Sequence, residues 1–124
     1  MSTALHDVAS AAFLAAGLYP DTKTSSPTGA TIDMIAADGP CFAIQQVGDL
    51  SVDTTLVGRI EESPDGTAWA AITGAEFAEV SGDNNVQVIR FTRTERYVRY
   101  AADLAGGTPS VVIAVVIGEQ QKTL

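Results

Sequence analysis

The sequence predicts an all-β fold, an antiparallel sandwich or barrel of about seven or eight short strands, preceded by an N-terminal arm. Three observations carry this expectation. From Ala30 onward, short apolar and β-branched runs follow one another. Clusters of Gly, Pro, Asp, Asn and Ser separate them at intervals of roughly 8 to 12 residues. No helical period alternates with the strands, which argues against a doubly wound α/β fold.

Residues 1–30 read differently from the rest. Thr3 to Leu18 is Ala-rich, with Leu5, Val8, Ala12 and Ala16 loosely at helical spacing. Thr3 is a candidate cap, and Gly17 and Pro20 mark a stop. A short helix and an extended arm both fit. Asp21 to Gly29 is a polar stretch with loop chemistry. The expected organisation is therefore an arm and linker over 1–30 and a β-sandwich domain over 31–124.

Strands are expected over 31–36, 41–47, 54–62, 67–72, 76–80, 86–92, 97–104 and 111–117. Asp38-Gly39-Pro40 and Thr73-Gly74-Ala75 read as interruptions. Ser63-Pro64-Asp65-Gly66 reads as a hairpin turn, with Pro preset for the second turn position. Ser81 to Asn85 and Ala105 to Pro109 read as further turns. Val111 to Ile117 (VVIAVVI) is continuously apolar, as a strand covered on both faces would be.

The chain of 124 residues is the size of one domain and can build its own core. One cysteine, Cys41, excludes an internal disulfide framework, and one histidine, His6, excludes the usual zinc constellations. Fifteen acidic side chains against seven basic ones give a formal net charge of −8. That balance opposes nucleic acid, whose binding needs clustered Lys and Arg, and it opposes anionic membrane surfaces. No apolar run reaches the roughly 18 to 20 residues of a membrane span. The Val8 to Leu18 run lacks the positive start of a secretory signal. A lone thiol fits a reducing compartment such as a bacterial cytoplasm.

No catalytic constellation emerges. A Cys41–His6 pair would require the arm to fold back on the domain, and a buried small thiol is the simpler reading. Glu61 and Glu62 are adjacent on a strand and point to opposite faces. Asp65 and Asp83 sit in turns, where carboxylates usually bond the local backbone. Trp69 is expected in the core. The most unusual stretch is Arg90 to Tyr100, which holds four of the seven basic residues: Arg90, Arg93, Arg96 and Arg99 are interleaved with Phe91, Tyr97 and Tyr100. It reads either as two strands whose arginines pair with nearby carboxylates or as a cationic contact strip.

The order of several motifs carries a resemblance. Glu61-Glu62-Ser63-Pro64-Asp65-Gly66-Thr67-Ala68-Trp69 is similar to an EESxDGxxW hairpin of small β-sandwich proteins encoded beside capsid genes of tailed bacteriophages. Gly29 to Met34, then Phe91 with Arg96-Tyr97-Val98-Arg99-Tyr100, then Gly106-Gly107-Thr108-Pro109-Ser110 match the flanking stretches in order. The chain thus resembles capsid decoration, or cement, proteins over about residues 29–117. The resemblance implies a jelly-roll-like sandwich, often a homotrimer, bound to the major capsid protein on the outside of the head. It transfers no catalytic residue, cofactor or metal. The expected contact residues are Leu5, Phe13, Leu14 and Leu18 in the arm and Arg93, Arg96 and Arg99 in the strip. The rival expectations are a carbohydrate-binding sandwich using Trp69 or Tyr97 as a stacking platform, and a tail or head–tail joining subunit.

Overall fold

The computed structural model describes residues 12–121. Eight strands run in chain order: β1 (Ala12–Lys23), β2 (Ile32–Asp33), β3 (Ala37–Leu50), β4 (Thr55–Ser63), β5 (Ala70–Glu76), β6 (Asn85–Phe91), β7 (Tyr97–Ala105) and β8 (Val111–Gln121). They form two antiparallel sheets of four, ordered β1-β8-β3-β6 and β2-β7-β4-β5. Successive strands from β1 to β4, and again from β5 to β8, cross from one sheet to the other. This is the double Greek key of a jelly roll.

Alternation builds the core. Cys41, Ala43 and Val47 on β3 and Val111, Ile113, Val115 and Ile117 on β8 face inward from the first sheet. Leu56 and Ile60 on β4 and Val98, Tyr100 and Leu104 on β7 meet them from the second. Phe77 stacks obliquely on Tyr100, with ring centroids 6.1 Å apart. Such burial is worth roughly 25 cal/mol per Å² of apolar surface and supplies the main driving force for folding.

The first sheet extends further into the N-terminal sequence than composition indicates. Residues 12–23 are not an arm. They form β1, hydrogen-bonded to β8 from Ala12↔Gln120 to Lys23↔Val111. The connector after it also joins the sandwich, because Gly29 N donates to Tyr100 O (2.7 Å) and Ala102 N donates to Pro27 O (3.0 Å) along the stretch of β7 that the short β2 leaves uncovered. Two register shifts, at Ala16/Leu18 and Leu18/Asp21, scramble the two-residue period. Pro20 is tolerated because β1 is an edge strand. Leu5 and His6 lie outside the described residues.

Other expectations also shift. Asp38-Gly39-Pro40 does not end a strand; it is a bulge inside β3, with Gly39 at a φ of 114°. Thr73-Gly74-Ala75 likewise lies within β5, where Gly74 takes a φ of 85° and the register to β4 shifts. Residues 77–80 are not a strand; Val80 makes an isolated bridge to Leu56. The 63–66 turn forms as expected, with Ser63 Oγ accepting from Asp65 N and Gly66 N.

One polar pair spans the core. Tyr100 Oη donates to Gln45 Oε1 (2.6 Å), and both side chains are fully buried. Gln45 Nε2 has no partner among the described residues. Either single replacement, Gln45→Leu or Tyr100→Phe, removes one member and strands the other, at about 1–3 kcal/mol. The double variant is expected to lie close to the wild type, because it removes both polar groups together. Urea unfolding of the four proteins checks this.

Candidate functional site

The two outer faces have opposite chemistry. On the second sheet the outward side chains form a charged lattice. Glu61 on β4 accepts from Arg59 Nε (3.0 Å) and Arg99 Nε (2.7 Å), and Arg59 reaches Asp103 (3.5 Å). Burial alone would raise the Glu61 carboxyl, but the bonds from Arg99 and Arg59 outweigh it and hold the group below its ordinary value. The Arg99 guanidinium also lies 4.4 Å above the Trp69 ring. Trp69 is therefore half-buried on this outer face and is not a core residue.

On the first sheet the outward positions line up in apolar cross-strand rows. The first row is Leu14, Gly118, Phe42 and Arg90 across β1, β8, β3 and β6. The second is Ala16, Val116, Ile44 and Val88, and the third continues with Ala114, Gln46 and Val86. None of these positions is acidic, and Arg90 is the one charged residue among them. Leu14 (56%), Val86 (62%), Val88 (59%) and Val116 (38%) are open to solvent. An antiparallel sheet with a free face normally alternates to polar side chains there. A contiguous apolar face marks an interaction surface. At the end away from Arg90 the face sinks into a groove of about 370 Å³ between Pro20, Gly48, Val86 and Val112.

The predicted contact residues do not gather in one place. Leu14 is on the apolar face, and Phe13 packs partly against the core. Leu18 points inward and is buried, because the bulges turn it toward the sandwich interior. Arg93 is not part of a surface strip. Its Nε donates to both oxygens of Glu119 (2.9 and 3.1 Å), Nη1 to Glu95 O (2.7 Å), and Nη2 to Met34 O (2.9 Å) and Ala37 O (3.0 Å). It is a clamp between β8, the β2–β3 bend and the β6–β7 connection. Cys41 joins it, donating its thiol to Glu119 Oε2 (3.2 Å); burial and the adjacent carboxylate push that thiol up to about 12. Arg99 belongs to the charged lattice, and Arg96 is exposed at the rim. The turn carboxylates bond the backbone: Asp65 accepts from Thr67 N and Ala68 N, and Asp83 from Leu50 N.

Arg96 grips Asp33 through Nε (2.9 Å) and Nη2 (2.7 Å). The hydrogen bond from Arg96 lowers the Asp33 carboxyl to about 2. A depressed folded-state value means that the pair stabilises the fold fully above the ordinary carboxylate range and loses that contribution as pH falls toward about 2. An NMR titration should place the Asp33 midpoint near 2 in the wild type, and Arg96→Ala should return it toward 3.8.

The apolar face was missed by residue-by-residue reading. Its signal was present: outward positions of CFAIQQV, VQVIRFT and VVIAVVI are nearly as apolar as the inward ones.

Strand order and faces together define a jelly-roll β-sandwich with one apolar and one charged outer surface. No protein-family model and no curated protein matches the sequence. Among solved structures, the chain is similar to a chain of the T13 IBDV viral particle, with a TM-score of 0.52 and 12% identity over 88% of this chain and 31% of that one. It therefore spans less than a third of the length of that viral chain. It is also similar to a xylan-binding domain of CBM 22, with a TM-score of 0.50 and 13% identity over 91% of this chain and 85% of that one. A third similar structure is the SPBc2 prophage-derived protein YomS, at 0.49 and 9% identity over 87% and 93% of the two chains. At these identities the likeness is one of fold.

Proposed function

We propose that this protein is a structural virion subunit, a capsid decoration protein that attaches to the outside of a phage head and stabilises it. The observation that carries the reading is the acid-free apolar face of the β1-β8-β3-β6 sheet on an otherwise acidic molecule. Such a face belongs to a subunit that is covered in an assembly. The net charge of −8 keeps it away from packaged nucleic acid and suits an external position. The motif order from Gly29 to Ser110 and the fold shared with a viral-particle chain support the same role. The partners in this reading are the major capsid protein and further copies of the chain, after synthesis in a bacterial cytoplasm. Its role is attachment, without catalytic turnover.

The carbohydrate-binding alternative draws on the fold shared with the xylan-binding domain. It is less well supported, because the aromatic platforms it needs are engaged: Arg99 covers a face of Trp69, and the Arg96 guanidinium lies 5.1 Å from the Tyr97 ring centre.

The test uses empty heads assembled from the capsid protein of the same virus. Purified protein should co-sediment with them to a fixed saturation and raise the temperature at which they rupture. Retention on xylan or other glycan beads, with none on heads, would replace this reading with the carbohydrate one. Truncation experiments should stop at residue 11, since removing residues 1–20 deletes most of β1.

A further inference from the structure

We infer that the outer face of the β1-β8-β3-β6 sheet packs against the same face of a second copy of this chain, with the two-fold axis lying between the sheets and running across the strands. The inference builds on the assembly reading above by naming the occupant of the face.

Charge selects this occupant. A second copy also carries a net charge of −8, so most approaches bring carboxylates against carboxylates. The apolar rows provide a broad surface without carboxylates where two copies can meet. The charges around it are complementary under the stated axis. Arg90 ends the first row on β6, and among the described residues no carboxylate pairs with it. Asp83, just before β6, and Asp49, near the end of the neighbouring β3, lie at the opposite end of this strand pair, roughly 23 Å away by strand rise. Both are exposed. Rotation about an axis across the strands keeps β6 over β6 and reverses its direction. Arg90 of each copy then meets the Asp83 and Asp49 end of the other. Asp38, on the bulge beyond Arg90's row, lines a separate rim depression with Arg93 and Arg96.

Shape agrees with charge. At the Arg90 end, Phe42 and Leu14 lean together over Gly118 and fill the space its missing side chain leaves. At the other end, Gly48 floors the groove. The same rotation keeps β3 over β3, so the filled Phe42 end of one copy faces the Gly48 groove of the other. Self-complementarity of this kind is what a two-fold contact requires. β8 gives the same indication. Its sequence reads as a strand covered on both faces, yet Val112 and Val116 are open in the single chain. Four strands by about seven residues bury roughly 900–1,000 Å² over the two copies, at or just under the roughly 1,000 Å² that a specific interface should clear and in the range of weak association. The dimer should therefore respond to concentration.

Sedimentation equilibrium and native mass spectrometry of the full chain test this. The expected result is a reversible monomer–dimer equilibrium, with Val88→Glu and Ile44→Glu monomeric and unchanged in far-UV circular dichroism. Phe42→Ala serves as a milder variant should a buried charge perturb folding, and it should weaken association as well. Arg90→Glu should raise the dimer Kd at least about tenfold, and Asp49→Arg added to it should recover most of that loss. A monomer up to submillimolar concentration, a trimer, or a dimer that survives both glutamate variants would overturn the inference. Head binding is measured separately. A monomer that still binds heads, and loses them on Val88→Glu, would assign the face to the capsid and leave the decoration role standing.

Discussion

Arg93→Met is expected to destabilise the protein by about 3–5 kcal/mol, the usual consequence of removing one partner from a buried ion pair. Glu119 is 1% exposed, and its charge is balanced by the Arg93 guanidinium, with the Cys41 thiol as the one further donor among the described residues. Loss of Arg93 leaves that carboxylate without its cation and frees the carbonyls of Met34, Ala37 and Glu95. The end of the sandwich that the clamp closes should open first. Arg93→Met/Glu119→Leu should recover the part of the loss that comes from the uncompensated carboxylate, while the carbonyls of Met34, Ala37 and Glu95 stay without their donor. Urea unfolding of both variants measures the difference. A single variant within 1 kcal/mol of wild type would show that the clamp contributes little.

The second large effect is expected at Gly29. A methyl group there would collide with the backbone carbonyl of Gly17 on β1, so neither side can relieve the contact by changing rotamer. Overpacking typically costs 1–3 kcal/mol. A backbone-to-backbone collision belongs at or above the top of that range, so about 3 kcal/mol is expected for Gly29→Ala. Hydrogen exchange should locate the damage. Amides of Gly29 and Ala102, which tie the connector to β7, should lose protection together with the edge of β1. The core of β4 and β7 should keep its protection near the global value.

Much of the jelly roll was legible because β4, β6 and β8 are rich in β-branched residues and β7 opens with Tyr97-Val98-Arg99-Tyr100, all between strong turn residues. β1 was hidden for two physical reasons. Alanine carries little strand preference, and two bulges break the alternation that would have revealed it. β3 was shortened in the reading because Asp38-Gly39-Pro40 has turn chemistry, which a bulge also uses. The arginine stretch was ambiguous for a different reason. Arg93 and Arg96 are three residues apart, yet one closes the interior and the other bonds Asp33 at the rim. Only the fold brings Glu119 and Asp33 to them. The apolar outer face was missed because a continuous apolar strand is equally consistent with two covered faces.

The buried thiol of Cys41 has a practical consequence. With its proton held toward Glu119 and its acidity suppressed, it is nearly inert to alkylating reagents while the clamped end stays shut. Labelling therefore counts openings of that end, one molecule at a time. Comparing labelling rates for free protein and for protein seated on a particle would read out how far attachment slows those excursions, without any engineered probe.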